Sequence, residues 1–303
     1  MVVFYWCGQM NRKQIKVTIT LSGKEESFTD DANQNRLSST GFRVMCDISY
    51  GFGAVMPTAQ IRIYGLAMET MNKLFRVQWN TLGLLMNMVK IEVGEQGKPL
   101  IKEFEGNITF ATIDFSNAPD VALVIQSQGA ALDYLRPESD ISYKGEVDIA
   151  DIVKEICDGI GYQFDNNGVS VKAQNVEVGG TAIGKIISLS ERYSFDLYID
   201  QNSVSITKKG GARNLKIPVI TPETGLIGYP VPDTRGVSFR CLYDPMIKFG
   251  GICKIQDSVV TVCNRDWRVY GLYKSLESNV PNGNWFCEVN ATWSDAEDAA
   301  INK

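Results

Sequence analysis

Catalysis needs groups that can titrate, attack or coordinate at a suitable spacing, and this chain of 303 residues contains no histidine. That excludes Ser-His-Asp and Cys-His activation of a nucleophile, together with the usual histidine-bearing zinc and iron sites. Seven cysteines remain, but an odd number without CxxC spacing fits neither a disulfide framework nor a zinc ribbon. Cys46, Cys241, Cys253, Cys263 and Cys287 lie inside strand-like runs, where a thiol behaves as a small hydrophobe. This usage suits a reducing compartment such as a bacterial cytoplasm. An enzyme built here would have to use carboxylates, Lys, Tyr or a bound cofactor.

Three groupings come nearest to such chemistry. Gly179-Gly180-Thr181-Ala182-Ile183-Gly184-Lys185 has the GxxxxGK spacing of a phosphate-cradling loop. Ile186 follows, where that motif needs a Ser or Thr to hold magnesium, and Ser170 to Val178 is a poor buried parallel strand. The expected structure is a loop entering an amphipathic helix. Glu103 and Glu105, spaced i, i+2 on one strand face, imitate the close carboxylates of a retaining glycosidase. With no site around them they read as solvated strand charges. The basic run Lys208-Lys209-Gly210-Gly211-Ala212-Arg213 lacks interleaved aromatics, and is expected to be a solvated turn or a linker rather than a nucleic-acid contact. No catalytic residue, metal ligand or cofactor site is assigned.

Composition supports a structural reading. The chain is 44% apolar, with a net charge of −5, so it can bury sizeable cores and offers no basic track for a phosphate backbone. No apolar run is long enough to span a bilayer, and no stable membrane insertion is expected. Residues 1–7 are apolar without a basic leader or cleavage site, so no signal peptide is expected. Phe4, Tyr5 and Trp6 favour an arm packed on a partner over one left in water.

The elements fall into three regions after this arm at 1–10. In the first, 11–139, period-two alternation marks strands at Lys16–Leu21, Phe42–Ser49, Thr58–Tyr64, Met88–Glu95 and Phe104–Asp114. One helix candidate, Ala67–Val77, carries Met68, Met71, Leu74 and Phe75 on a stripe. The second region, 140–213, has Asp148 capping a helix to about Asp158 with Ile149, Ile152, Val153, Ile156 and Ile160 on one face. A helix over Thr181–Tyr193 and a hairpin from Phe195 to Ile206 follow. In the third, 214–303, strands are expected at Val237–Leu242, Gly251–Gln256, Val259–Cys263, Trp267–Tyr273 and Trp285–Trp293, before a polar tail expected to fray. Strands interrupted by one short helix suggest a small barrel or sandwich; the fold class is mainly β, with two β-modules flanking a small α+β insert, and both could share one barrel plan. The aromatics Trp267, Tyr270, Tyr273, Trp285, Phe286 and Trp293 alternate within strands, which favours core or subunit interface over a sugar platform. A carbohydrate-binding module, or a cell-wall glycosidase, is the alternative reading.

Between Thr224 and Gly251 the chain reads TGLIGYPVPDTRGVSFRCLYDPMIKFGG. Thr224, Gly225, Leu226, Ile227, Gly228 and Pro230, then Gly236, Val237, Arg240, Cys241, Leu242, Pro245, Gly250 and Gly251, resemble the distal barrel of phage tail baseplate hub proteins. The run Val147–Ile156 resembles that family's helix after the first barrel, Thr181–Ile187 its second helix, and Phe195–Asp200 its hairpin. The order of these motifs carries the resemblance; residues 1–10 and 24–36 match nothing in it. The family is related to the hub half of type VI secretion spikes. It implies two tube-like β-barrel modules in each chain, flanking the small α+β module, and a homotrimer in a virion tail baseplate, made in the host cytoplasm, in which three chains present six similar barrels. Such a ring would dock on a sixfold tail tube protein, seat a threefold central spike protein, and meet other baseplate proteins. DNA would be met only in transit, which implies an inner wall poor in Lys and Arg.

Overall fold

The computed structural model describes residues 12–21, 36–51, 56–75, 86–200 and 202–294. The arm at 1–10, the loop as far as residue 35 and the tail at 295–303 lie outside them. The first region holds β1 (Lys13–Thr20), β2 (Arg36–Ser39), β3 (Arg43–Tyr50), β4 (Thr58–Tyr64), α1 (Met68–Phe75), β5 (Met88–Glu95), β6 (Ile101–Asp114) and β7 (Ala122–Gln128). In β3 and β4 the inward residues Val44, Cys46, Ile48, Ala59, Ile61 and Ile63 are buried, so alternation sets each strand's face as expected. α1 buries Met71 and Leu74.

At the end of the first region stands α2 (Ala131–Leu135), and β8 (Pro137–Ser142) crosses into the middle one, which holds β9 (Glu146–Asp148), α3 (Ile149–Ile160), β10 (Gln163–Asn167), β11 (Lys172–Gln174), β12 (Glu177–Thr181), α4 (Ala182–Tyr193), β13 (Phe195–Asp200) and β14 (Ser203–Lys208). Asp148 accepts from the Ala150 amide at 2.9 Å and Gly161 ends α3 in the left-handed region, a capped start and a glycine stop. Thr181 caps α4 through the Gly184 amide. The apolar faces of α3 and α4 share one core with β13 and β14.

The last region holds β15 (Val219–Ile220), β16 (Leu226–Asp233), β17 (Gly236–Leu242), β18 (Ile252–Ile255), β19 (Asp266–Ser278) and β20 (Trp285–Trp293). The expected strand at Val259–Cys263 is instead a 3-10 turn over Thr261–Cys263, fastened where Trp267 Nε1 donates to the Cys263 carbonyl. Val259 and Val262 are exposed there, so the apolar run that suggested a strand has no sheet to enter.

All the strands of the two β-regions join one sheet. Its order is β16-β17-β20-β19-β3-β4-β7-β6-β5-β1-β2, with β18 on β19 and β15 on β18. Numbered within each region from β3 and from β16, the strands follow the same plan. The first five taken in chain order, β3, β4, β5, β6 and β7, stand in the sheet as first-second-fifth-fourth-third. So do β16, β17, β18, β19 and β20. β1 continues the first module and packs close to β19, curling the sheet back on itself. In the second module the Leu226 amide donates to the Thr221 carbonyl, and β15 thus leads straight into β16 to close the curl. A single apolar core runs through both modules, from Ile15 and Ile91 to Val289 and Ala291.

The α3 cap supplies a first test. Asp148→Ala should lower stability by about 1 kcal/mol, seen as a fall in the urea midpoint with an unchanged slope. A variant as stable as the parent would show that the cap contributes nothing.

Candidate functional site

The resemblance residues converge on the β16–β17 hairpin and the loop after it. Thr224 closes the turn before β16, where its hydroxyl accepts from the Thr221 amide at 2.9 Å, and Gly225 follows. Leu226 and Pro230 face inward, whereas Ile227 and Gly228 are exposed. The β16–β17 register shifts between Ile227 and Val231, so Gly228, Tyr229 and Pro230 bulge from the strand. Gly236 begins β17 at φ +146°, where an added Cβ would meet the Ala291 carbonyl oxygen at 2.0 Å; only glycine fits. Val237 and Cys241 point into the core, and Leu242 points out. Arg240 lies outward, 4.0 Å from the Phe286 ring centroid and paired with Glu288. Pro245 sits in the following loop. Gly250, at φ +76°, passes so near Tyr198 that a Cβ would lie 2.5 Å from its ring, and Gly251 is buried beside it.

The three chemistry-like groupings resolve differently from one another. Lys185 is buried with its ammonium 2.7 Å from the Ser139 carbonyl and 3.6 Å from Glu138. Thr181 serves as a helix cap, so the GxxxxGK run is a strand end and a helix start. In the basic run, Lys209 pairs with Asp196 at 2.9 Å, while the buried Arg213 donates to the Phe249 carbonyl at 3.1 Å. Arg268 reaches Asp196, the Tyr198 hydroxyl and the Gly211 carbonyl. Lys208 and Lys209 are exposed, as in a solvated turn, while the buried Arg213 fastens the α+β module to the second barrel.

Glu103 departs furthest from expectation. It is fully buried, not a solvated strand charge, and it does not share its role with Glu105, which bonds Lys102 at 3.0 Å. The cause is a register break: Ile91 pairs with Phe104 but Glu92 pairs with Lys102, which leaves Glu103 as the extra residue, turned inward. Its carboxylate accepts from Lys274 of β19 through Oε1 and from the Tyr243 hydroxyl through Oε2 at 2.7 Å. Lys248 lies 3.8 Å away, and the Tyr50 hydroxyl donates to the Glu103 carbonyl at 2.9 Å. The Lys274 ammonium lies 5.7 and 5.5 Å from the Tyr50 and Tyr243 ring centroids. Burial alone would lower the Lys274 pKa, but the adjoining Glu103 carboxylate raises it above the ordinary lysine value. Burial, and then neighbouring carboxylates, push the Tyr50 and Tyr243 hydroxyls up. The sequence does carry one signal of this cluster: Lys274 occupies a core-facing position between Leu272 and Leu276 in a period-two strand.

This cluster joins the two barrels, because Glu103 and Tyr50 belong to the first while Lys274, Tyr243 and Lys248 belong to the second. Its carboxylate is shared among Lys274, Lys248 and Tyr243, so the cluster's charges and hydroxyls are turned on one another. Among the described residues no group of three or more Cys, Asp or Glu could hold a metal ion. In the last region Trp267 is buried 5.1 Å from Trp293, and Trp285 lies 5.5 Å from Tyr243.

A family model described as baseplate hub gp41 matches residues 14–283. No curated protein sequence matches the chain. Among solved structures, a tail protein from Neisseria meningitidis is similar at a TM-score of 0.59 and 10% identity, covering 92% of this chain and 96% of that one. The 43 kDa tail protein of prophage MuSo2 from Shewanella oneidensis gives 0.58 at 9%, covering 94% and 98%. The E. coli c3393 protein is described as a type VI secretion component structurally similar to the T4 tail proteins gp27 and gp5. It gives 0.56 at 12%, covering 84% and 74%. At such identities the likeness is one of fold.

The ion pair is open to a mutant cycle. Glu103→Leu strands a buried ammonium and should cost about 3–5 kcal/mol. Lys274→Met should cost less, since Lys248 already lies within 3.8 Å of the carboxylate. The double variant should recover most of the loss; additive losses in denaturant melts would contradict the pairing. Lys274, Tyr50 and Tyr243 all have raised folded-state pKa values, so their contribution is complete below the unfolded-state values. Stability should hold through neutrality and fall as pH rises above about 10, whereas a loss confined to acid pH would contradict the assignment.

Proposed function

The chain belongs to the baseplate hub gp41 family, and from that premise we propose that three copies form a closed ring at the tip of a phage or phage-like tail. The two barrels with one strand order carry this reading. A chain with a single barrel would give a trimer three equal units, but a chain with two gives six. A threefold ring can then meet a sixfold tail tube on one side and seat a threefold spike on the other. Contacts of this kind are heterologous and close by rotation. We take 11–139 and 214–303 as the barrel units, 140–213 as the module between them and 1–10 as an arm available to a neighbour. The protein would be made in the host cytoplasm and end in the virion tail.

The outward face of the sheet supports a channel role. From β16 to β6, eight strands run antiparallel to their neighbours in one continuous surface. A shallow cavity of about 350 Å³ opens on it, lined mainly by uncharged Ser, Thr and Gln side chains, among them Ser49, Gln60, Gln126 and Gln128. Two of its arginines sit beside carboxylates: Arg43 bonds Glu277 at 3.1 Å and Arg240 bonds Glu288. Asp47 accepts from Tyr273 and Ser275 at 2.8 Å. A wall with few unpaired cations would let DNA slide past without the counterion release that holds it.

Mass in solution tests the ring. Light scattering at rising concentration should show a threefold species, and a chain that stays monomeric, alone and with its tail-tube neighbour, would contradict it.

A further inference from the structure

Three inward-facing residues stand in one row across the second barrel. Cys287 of β20 lies directly opposite Cys241 of β17 on one side and Lys274 of β19 on the other. All three are buried, and both thiols are free. The other described cysteines on strands face apolar neighbours: Cys46 stands opposite Ile61 and Leu276, and Cys253 opposite Trp267. The hub reading gives the Cys241–Cys287 pair no task.

The spacing suits a bond between the two sulfurs. The Tyr243 amide donates to the Trp285 carbonyl at 3.0 Å. These residues lie two places along the same register, so Cys241 and Cys287 also form a hydrogen-bonded pair. Such pairs hold their Cα atoms about 5.5 Å apart, inside the range of about 4.4–6.8 Å that a disulfide bridges. The Cys241 thiol donates to the Cys287 sulfur. That bond lowers the Cys287 pKa below the ordinary thiol value against the cost of burial, and the Lys274 charge and the Asp244 amide lower it further. The same bond, followed by burial, raises the Cys241 pKa. The thiolate is the reactive form of cysteine, so Cys287 is the nucleophile and Cys241 the thiol that follows it.

We propose that Cys241 and Cys287 form a redox site, at which a small peroxide produces a cross-strand disulfide while Lys274 holds the Cys287 thiolate. The Cys287 sulfur attacks one peroxide oxygen and the O–O bond breaks. The hydroxide released takes up the proton that Cys287 gave up and leaves as water, and Cys287 becomes a sulfenic acid. Cys241 then loses its proton and attacks that sulfur. An S–S bond forms, the S–O bond breaks, and a second water departs with the Cys241 proton. Two thiols lose two electrons, and one hydrogen peroxide becomes two waters. The bond ties β17 to β20, which pairs in turn with the shared strand β19. A chain folded in a reducing compartment keeps both thiols free and gains this staple in an oxidising medium. The pair lies within one chain and needs no ring.

The test uses the full chain with Cys7→Ser, which leaves the six described cysteines. Dilute hydrogen peroxide should remove two titratable thiols, lower the intact mass by two hydrogens and yield one peptide linking Cys241 to Cys287. A reductant should restore both thiols, and the oxidised chain should melt about 5 °C higher. Cys241→Ser should instead leave Cys287 as a sulfenic acid that dimedone captures. Lys274→Met should slow the oxidation about 10-fold, whereas loosening of the barrel alone would speed it. A folded chain that keeps all six thiols, or that links either cysteine to Cys253, would overturn the site. Oxidation as fast in Lys274→Met as in the parent would overturn the part given to the lysine.

Discussion

One strand divides its edge between two barrels, and the rest of the molecule depends on it. The first residues of β19 pair with β18, and the last seven pair with β3. The orientation of one barrel on the other is therefore fixed by backbone hydrogen bonds and not by a linker. The apolar core follows the same path without interruption. Lys274 lies in the shared half of β19 and faces inward onto Glu103, so separating the barrels would strand two buried charges. Ion pairs of this kind add little net stability over apolar packing, but breaking one is costly. The seam therefore tolerates one geometry, as the proposed ring would require.

The α+β module is held to this frame by apolar and polar contacts together: its core takes in Met56 and Ala130, and Tyr198 joins the core of the barrels. Arg268 on β19 gathers Asp196, Tyr198 and the Gly211 carbonyl. Tyr198 also meets Phe249 edge-on at 5.2 Å, and Gly250 must be glycine for that approach. The loop carrying Phe249, Gly250 and Gly251 comes directly after the β16–β17 hairpin. Residues that first stand out as a sequence signature thus hold the second barrel to its neighbours inside the chain, while Ile227, Tyr229 and Val231 face outward.

What the sequence makes legible is local. Period-two runs place β4 and β5 at their observed bounds, and an aspartate before five aliphatics places α3, because faces and caps are decided within a turn or two. Three features are not legible, for a common reason. The inward turn of Glu103 comes from a register break set by the partner strand. The extension of β19 to Ser278 depends on β3, which lies more than 200 residues away in sequence. The apolar run at Val259–Cys263 has strand composition but no edge to join. The common plan of the barrels is also hidden from direct comparison. Equivalent positions, aligned on the bulges at Thr109 in β6 and Tyr270 in β19, conserve inward or outward direction, as in Ala111 with Leu272 and Gln126 with Asn290, but seldom the residue.

The central claim is that each chain supplies two equivalent units to a closed collar. An electron-microscopic end view of the assembled tail tip tests it most directly, through the rotational symmetry of the ring at barrel radius. The account predicts a strong sixfold component, modulated by a weaker threefold one, around a central opening. A ring with only threefold density at that radius, or barrels stacked along the axis with no opening between them, would contradict it.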